Sequence, residues 1–277
     1  MIRRALAILS LAVASFGAGP ASAGEARCWV DHGAVLVSAA IGDIAGDFIL
    51  DLSAPQSQLH VTAAQADGFG DSGVMEGPLQ LAGERLPARL TVADLDARTL
   101  GYPTTIDGLI GADAFEGWVV ELRLAPCRLT LRRRAPRLRE PGMPIVWMGG
   151  VPTLPASVFD GRAGLAGRFA IDTGSTGVRL SSGIATLSRA PPKGVDPGSR
   201  IRPPARLAAL GLGGEALTHL RAGVTTGAPS GVAGGVGTDV LGRYVVTLDL
   251  KRNEAVLSPL SGRRSARSCG SCRRAGR

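Results

Sequence analysis

The feature that most constrains this chain is that it repeats itself. "GDFILDLSAPQSQL" at 46–59 lies over "GRFAIDTGSTGVRL" at 167–180, an offset of 121 residues that matches Gly46 with Gly167, Phe48 with Phe169, Asp51 with Asp172 and Leu59 with Leu180. "LQLAGERL" from Leu79 matches "LGLGGEAL" from Leu210 at an offset of 131. "GLIGADAFEGWVVELRL" from Gly108 matches "GGVGTDVLGRYVVTLDL" from Gly234 at an offset of 126. Three anchors in one order define a duplicated unit of about 110 residues per copy, the size of a small lobe.

Each copy reads as mostly β. Short apolar runs at 34–41, 47–52, 88–95 and 118–124 are broken by Gly, Asp and Pro at close intervals. That spacing predicts hairpins closed into a barrel or sandwich. "TLDLKRNEAVL" at 247–257 predicts a hairpin turning at Lys251-Arg252-Asn253-Glu254. Brief helices are expected from Asp239 to Arg243 and, in the first copy, from Asp113. The 39 glycines suit tight turns and close backbone approaches.

Outside the repeat, residues 1–23 carry Arg3 and Arg4, an uncharged Ala/Leu-rich run from Ala5 to Phe16, and Ala21-Ser22-Ala23 before Gly24. This pattern predicts a secretory signal, with the mature chain in the periplasm or secreted. The apolar run is shorter than a spanning helix requires and ends at Gly17, Gly19 and Pro20. The expected organisation is a signal at 1–23, a first lobe at 24–138, a second lobe at 139–260 and a basic disordered tail at 261–277.

The formal charge of +8 at first suggests a nucleic-acid or membrane binder. Eight of the 31 basic residues are Arg3, Arg4 and the six tail arginines Arg263, Arg264, Arg267, Arg273, Arg274 and Arg277, which leaves 23 against 23 acidic residues. The body is therefore formally neutral. No nucleic acid and no stable membrane insertion is expected. The cluster Arg132-Arg133-Arg134 with Arg137 and Arg139 reads as a solvated linker.

Four cysteines in an exported chain suggest disulfides. A bridge between Cys28 and Cys127 would tie the N-terminus to the first half. Cys269 and Cys272 form a C-x-x-C in the Arg-rich tail, read as a local or intermolecular disulfide. The three histidines, His32, His60 and His219, have no partners at metal-ligand spacing, so no metal site is expected; His60 reads as part of a surface turn. No G-x-S-x-G nucleophile elbow is present, and the glycines of "GLGGEAL" and "GVAGGVGTDVLG" do not make a G-x-G-x-x-G fingerprint.

The duplication bears on Asp172. Two like lobes packed about a pseudo-twofold axis bring Asp51 and Asp172 to symmetry-related positions at the seam. Two carboxylates held together divide into an acid and a base around one water, as amide hydrolysis requires.

An apolar run leading into Asp172-Thr173-Gly174-Ser175, followed by Gly235-Val236-Gly237 and the final strand pair, resembles the aspartic peptidases, in particular retropepsin-like proteins of bacteria. The first copy shows the matching Leu109-Ile110-Gly111. The resemblance covers nearly the whole body and implies an all-β fold of two tandem acid-protease-like barrel lobes. It implies Asp172 and Asp51 as catalytic carboxylates, Thr173 as an interlobe hydrogen bonder, Gly174 as the point of close backbone approach, and Ser175 as hydroxyl support. Val236 and Gly237 would floor the active loop. Flaps would lie near Gly68 to Gly77 and Lys193 to Arg200. No cofactor is implied.

The first copy departs from this pattern: Asp51 is followed by Leu52, Ser53, Ala54 and Pro55. Leu52 has no hydroxyl, and Ser53, the remaining support residue, lacks the conformational freedom of glycine. The leading expectation is an exported aspartic endopeptidase that cleaves peptides or unfolded protein as a monomer, using water held between the two carboxylates. The alternative is a catalytically silent protein that binds peptide or a protein partner in the same cleft. A homodimer pairing two Asp172 residues is a third reading.

Overall fold

The computed structural model describes residues 23–136, 142–161, 163–182 and 205–260. All but Ala23 of the signal expected at 1–23, the second flap expected at 193–200 and the segment with Cys269 and Cys272 lie outside them.

The first lobe is a barrel of six strands numbered along the chain: β2 (Ala34–Ile41), β3 (Ile44–Leu50), β4 (Gln58–His60), β5 (Val74–Leu81), β6 (Glu84–Ala93) and β7 (Ile106–Ile110). Neighbours run β2-β3-β7-β4-β6-β5, and β5 pairs back onto β2 to close the ring. The second lobe repeats this with β12 (Val151–Phe159), β13 (Gly164–Ile171), β14 (Val178–Ser181), β15 (Ala205–Leu212), β16 (Glu215–Thr225) and β17 (Val232–Val236). Its order is β12-β13-β17-β14-β16-β15, closed by β12 with β15. Two tandem all-β lobes are therefore present.

The copies agree in register as well as in order. In the first lobe β3 runs parallel to β7 with Phe48 opposite Gly108, and in the second β13 runs parallel to β17 with Phe169 opposite Gly234. A register shift falls between Asp47 and Phe48 in one and between Arg168 and Phe169 in the other, both at the 121-residue offset. The two strand-joining turns, Ala82-Gly83 and Gly213-Gly214, hold all four residues at positive φ, from 54° to 81°. This matches the type I′ hairpin, whose twist suits the flanking strands.

A six-stranded antiparallel sheet joins the lobes. It comprises β1 (Gly24–Asp31), β8 (Val119–Leu124) and β9 (Cys127–Arg132) from the first half, with β10 (Met143–Pro144), β18 (Tyr244–Asp249) and β19 (Glu254–Pro259) from the second. The halves meet where β8 pairs with β18, and there Glu121 lies opposite Thr247. Those residues are 126 apart, the offset of the third sequence anchor. The pseudo-twofold axis thus passes between two copies of the same position. A short β11 (Val146–Met148) pairs with β12.

One hydrophobic cluster runs through both barrels and includes Phe48, Phe115, Trp118, Phe169 and Tyr244. Trp118 and Tyr244 are themselves counterparts in the repeat. Cys28 on β1 is bonded to Cys127 on β9. The helices are brief: α1 (Val61–Ala66), α2 (Asp96–Thr99), α3 (Thr238–Leu241) and a 3-10 turn at Ala112–Phe115.

Two expectations are corrected here. Arg132 ends β9 opposite Val119, and the Arg133 guanidinium stacks 3.6 Å from the Trp118 ring centroid, so the arginine cluster begins as strand rather than as a solvated linker. His60 is buried rather than at a surface turn. Its Nδ1 accepts from the Thr62 amide at 3.3 Å to cap α1, and its Nε2 lies 3.2 Å from Asp96 Oδ1.

Candidate active site

β3 ends at Leu50, and Asp51 opens the loop that leads to β4; β13 ends at Ile171, and Asp172 opens the equivalent loop. The two loops are held alike. The Asp51 amide donates to Ile110 O at 2.9 Å and the Asp172 amide to Val236 O at 3.0 Å. The Ala112 amide donates to Ala54 O at 2.9 Å, and the Thr238 amide to Ser175 O at 2.9 Å. Each strand that floors a loop, β7 or β17, is followed by a glycine that the loop crosses. A β-carbon on Gly237 would fall 2.5 Å from Gly177 O and 2.7 Å from Ser175 O. One on Gly111 would fall 2.9 Å from Ala54 O. These approaches are to fixed backbone, so no side chain fits.

The loops face each other across the lobe boundary. Thr173 Oγ1 accepts the Leu52 amide at 2.9 Å, and Thr173 O accepts the Val35 amide of β2 at 2.8 Å. The β1–β2 turn packs Gly33 on Thr176 of the second loop, and the turn before β12 packs Gly150 on Pro55 of the first. Thr176 and Pro55 are repeat counterparts, so each lobe braces the other's loop in the same way. Thr238 Oγ1 adds a bond to Gly33 O at 2.7 Å.

Asp51 and Asp172 are both buried, at 1% and 0% exposure. Asp51 Oδ1 accepts the Ser53 amide at 2.8 Å and the Ser53 hydroxyl at 2.6 Å. Asp172 Oδ2 accepts the Ser175 hydroxyl at 2.7 Å. Each carboxylate thus has a hydroxyl donor, but from the second following residue in one loop and the third in the other. Neither Ser53 nor Gly174 has a positive φ, so this position does not call on glycine's conformational freedom. What Gly174 provides is space: a β-carbon there would strike Asp51 Oδ2. The expectation that Ser53 lacks a needed conformation is therefore corrected.

Two arginines, not anticipated from the motif, also belong to the site. Arg98 of α2 forms an ion pair through Nη2 with Asp51 Oδ2. Arg179 of β14 places Nη2 2.5 Å from Asp172 Oδ2. Asp172 Oδ1 is buried with no hydrogen-bond partner among the described residues. Tyr102, in the connection after α2, packs on His32 in a tilted arrangement with ring centroids 5.0 Å apart. Burial raises its phenol above the ordinary range; nearby Arg98 opposes the shift, and Asp31 and Asp51 add to it. Arg179 was visible in the quoted stretch, seven residues past Asp172. Arg98 and Tyr102 have no sequence signal, because they lie in a connection that the second copy does not repeat.

Of the stretch expected to carry the first flap, residues 67–73 are turn, irregular backbone and bend, and Val74–Gly77 open β5, whose hairpin with β6 closes the barrel.

No family model matches the chain, and no curated protein does. Among solved structures, the aspartic proteinase from Irpex lacteus is similar, with a TM-score of 0.53 and 13% sequence identity. The match covers 87% of this chain and 98% of that one. The fold is that of the aspartic proteases: two barrel lobes with one aspartate loop from each at a common seam.

Proposed function

We propose that the protein is an exported, retropepsin-like aspartic endopeptidase that hydrolyses peptide or unfolded protein as a monomer. The observation that carries this reading is that two buried aspartates lie on loops that meet through the Leu52–Thr173 bond, share the same backbone bonds and each have a hydroxyl donor. Asp172 Oδ1, which has no hydrogen-bond partner among the described residues, is the acceptor for a water proton as the water oxygen adds to the peptide carbonyl carbon. The proton then passes to the leaving nitrogen as the C–N bond breaks. Export is supported by the N-terminal pattern and is compatible with the Cys28–Cys127 bridge.

A second reading, the catalytically silent peptide or partner binder, is favoured by one specific observation. Arginine is a donor only, so Asp51 Oδ2 and Asp172 Oδ2 both act as acceptors toward guanidinium groups and neither is placed to share a proton with the other. Leu52 also removes the hydroxyl that would reciprocate the Thr173 bond.

The test is cleavage of an unstructured peptide library by the mature protein, with Asp172→Ala and Asp51→Ala as controls. Cleavage lost in both variants supports the two-aspartate peptidase. Loss in Asp172→Ala alone supports a dimer of second lobes. Peptide binding without cleavage by folded protein supports the silent binder.

A further inference from the structure

Arg98 breaks the symmetry of the site. The β6–β7 connection that bears it spans twelve residues, 94–105, whereas its counterpart between β16 and β17 is the six-residue stretch 226–231 with no basic residue. The longer connection is tethered on both sides of Arg98. Leu95 is buried, and its carbonyl accepts the amides of Arg98 at 2.8 Å and Thr99 at 2.9 Å. Asp94 Oδ1 accepts the Asp96 amide at 2.8 Å, and Tyr102 rests on His32. So held, the guanidinium spans the seam. Nη2 bonds Asp51 of the first loop and lies 2.5 Å from where a β-carbon on Gly174 of the second would be. Its side chain is 37% exposed, and the guanidinium has N–H donors beyond the one bound to Asp51.

Within the peptidase reading, on which this inference rests, an electrophile must stabilise the negative charge that develops on the carbonyl oxygen. In an aspartate dyad the protonated carboxyl provides it. Here Asp51 Oδ2 accepts from Arg98 instead, and Asp172 Oδ1 has no hydrogen-bond partner among the described residues.

We infer that Arg98 is a catalytic residue that donates N–H to the oxyanion of the tetrahedral intermediate, leaving Asp172 as the single proton carrier. Asp172 takes a proton from water as the water oxygen bonds to the carbonyl carbon. The carbonyl π pair moves to oxygen and is held by the guanidinium, which transfers no proton. Collapse of the intermediate breaks the C–N bond as Asp172 returns its proton to nitrogen. The site should therefore prefer a tetrahedral anion to a tetrahedral alcohol.

The experiment compares two matched peptides by calorimetry, one with a phosphinate and one with a statine-type hydroxyl at the scissile position. The proteins are wild type, Arg98→Ala and Arg98→Lys. Wild type is expected to bind the phosphinate at least about tenfold more tightly. Arg98→Ala should lose about a hundredfold in phosphinate affinity and keep its hydroxyl affinity, which also reports that the cleft is folded. Arg98→Lys should fall between, having the charge without the fork. Where turnover is measurable, kcat in Arg98→Ala should drop about 10²–10³-fold with KM little changed. Equal affinity of wild type for the two peptides would overturn the inference. So would a rise in kcat or in affinity for both ligands in Arg98→Ala, which would make the arginine a plug over the water position. If wild type prefers the phosphinate, Arg98→Ala abolishes that preference and neither protein cleaves peptide, the anion site stands and the peptidase reading fails.

Discussion

The amide of Leu52 donates to the hydroxyl of Thr173 across the lobe boundary at 2.9 Å, and the two residues are 121 positions apart. That separation is the repeat offset, so the bond joins two copies of one position. It runs one way only, because leucine has no hydroxyl to return. Both residues are buried. Thr173→Val keeps the shape and removes the acceptor, stranding the Leu52 amide. The expected cost is about 1–3 kcal/mol in urea unfolding, with lower activity as the loops lose their register.

Carrying the Thr-Gly of the second loop into the first should not raise cleavage. Leu52 lies in the main hydrophobic cluster at 1% exposure, and the Ser53 hydroxyl and amide hold Asp51 Oδ1. The double change Leu52→Thr with Ser53→Gly puts a hydroxyl into that cluster and removes the support for Asp51. A loss of about 2–4 kcal/mol and no gain in cleavage are expected. Increased turnover at undiminished stability would show that the native loop is not adapted to its own side chains.

Much of this was legible in the sequence because duplication states each constraint twice. Phe48 and Phe169, or Trp118 and Tyr244, could be matched by eye, and the register of β3–β7 and β13–β17 follows from them. Strand ends were less visible: 47–52 reads as one apolar run, yet β3 stops at Leu50 because Asp51 must turn toward the seam. Arg98 could not be found this way. It reaches Asp51 over 47 residues of sequence from a connection with no counterpart, and only the closed barrel brings the two together. His60 reads as a turn residue, yet it ends β4, caps α1 and is buried between them, with apolar Leu59 and Val61 on either side in sequence.

The glycine floors give a sharp contrast. Gly237→Ala would place a β-carbon against the backbone oxygens of Gly177 and Ser175, which cannot move without shifting the Asp172 loop. A loss of about 1–3 kcal/mol or more is expected, together with loss of peptide cleavage. Gly223 on β16 has open space around its absent β-carbon and no positive φ. Gly223→Ala should change thermal stability little and leave cleavage intact.

The Cys28–Cys127 bridge closes a separation of 99 residues and pins β1, which pairs with both β9 and β2. Cys28→Ala with Cys127→Ala should cost about 2–5 kcal/mol, read by urea unfolding of the variant against oxidised wild type. An unchanged midpoint would mean that the sheet alone fixes the N-terminal strand.

Asp107 sets a pH dependence remote from the two catalytic candidates. Burial raises its carboxyl above the ordinary 3.8; the Asp47 amide opposes this, the Asp47 charge adds to it, and His60 opposes it. A raised folded value means that the native state holds the proton more tightly than the unfolded chain does. Its contribution is therefore fully present below about 3.8 and is lost as pH rises through the folded value. Asp107→Asn keeps an oxygen for the Asp47 amide, which lies 3.2 Å from Asp107 Oδ2, and removes the charge. The variant should melt close to wild type at about pH 3 and above it at about pH 7, the gap opening in the window that starts near the unfolded value. A gap that closes with rising pH would reverse the sign and show that the ionised carboxylate is stabilised where it sits.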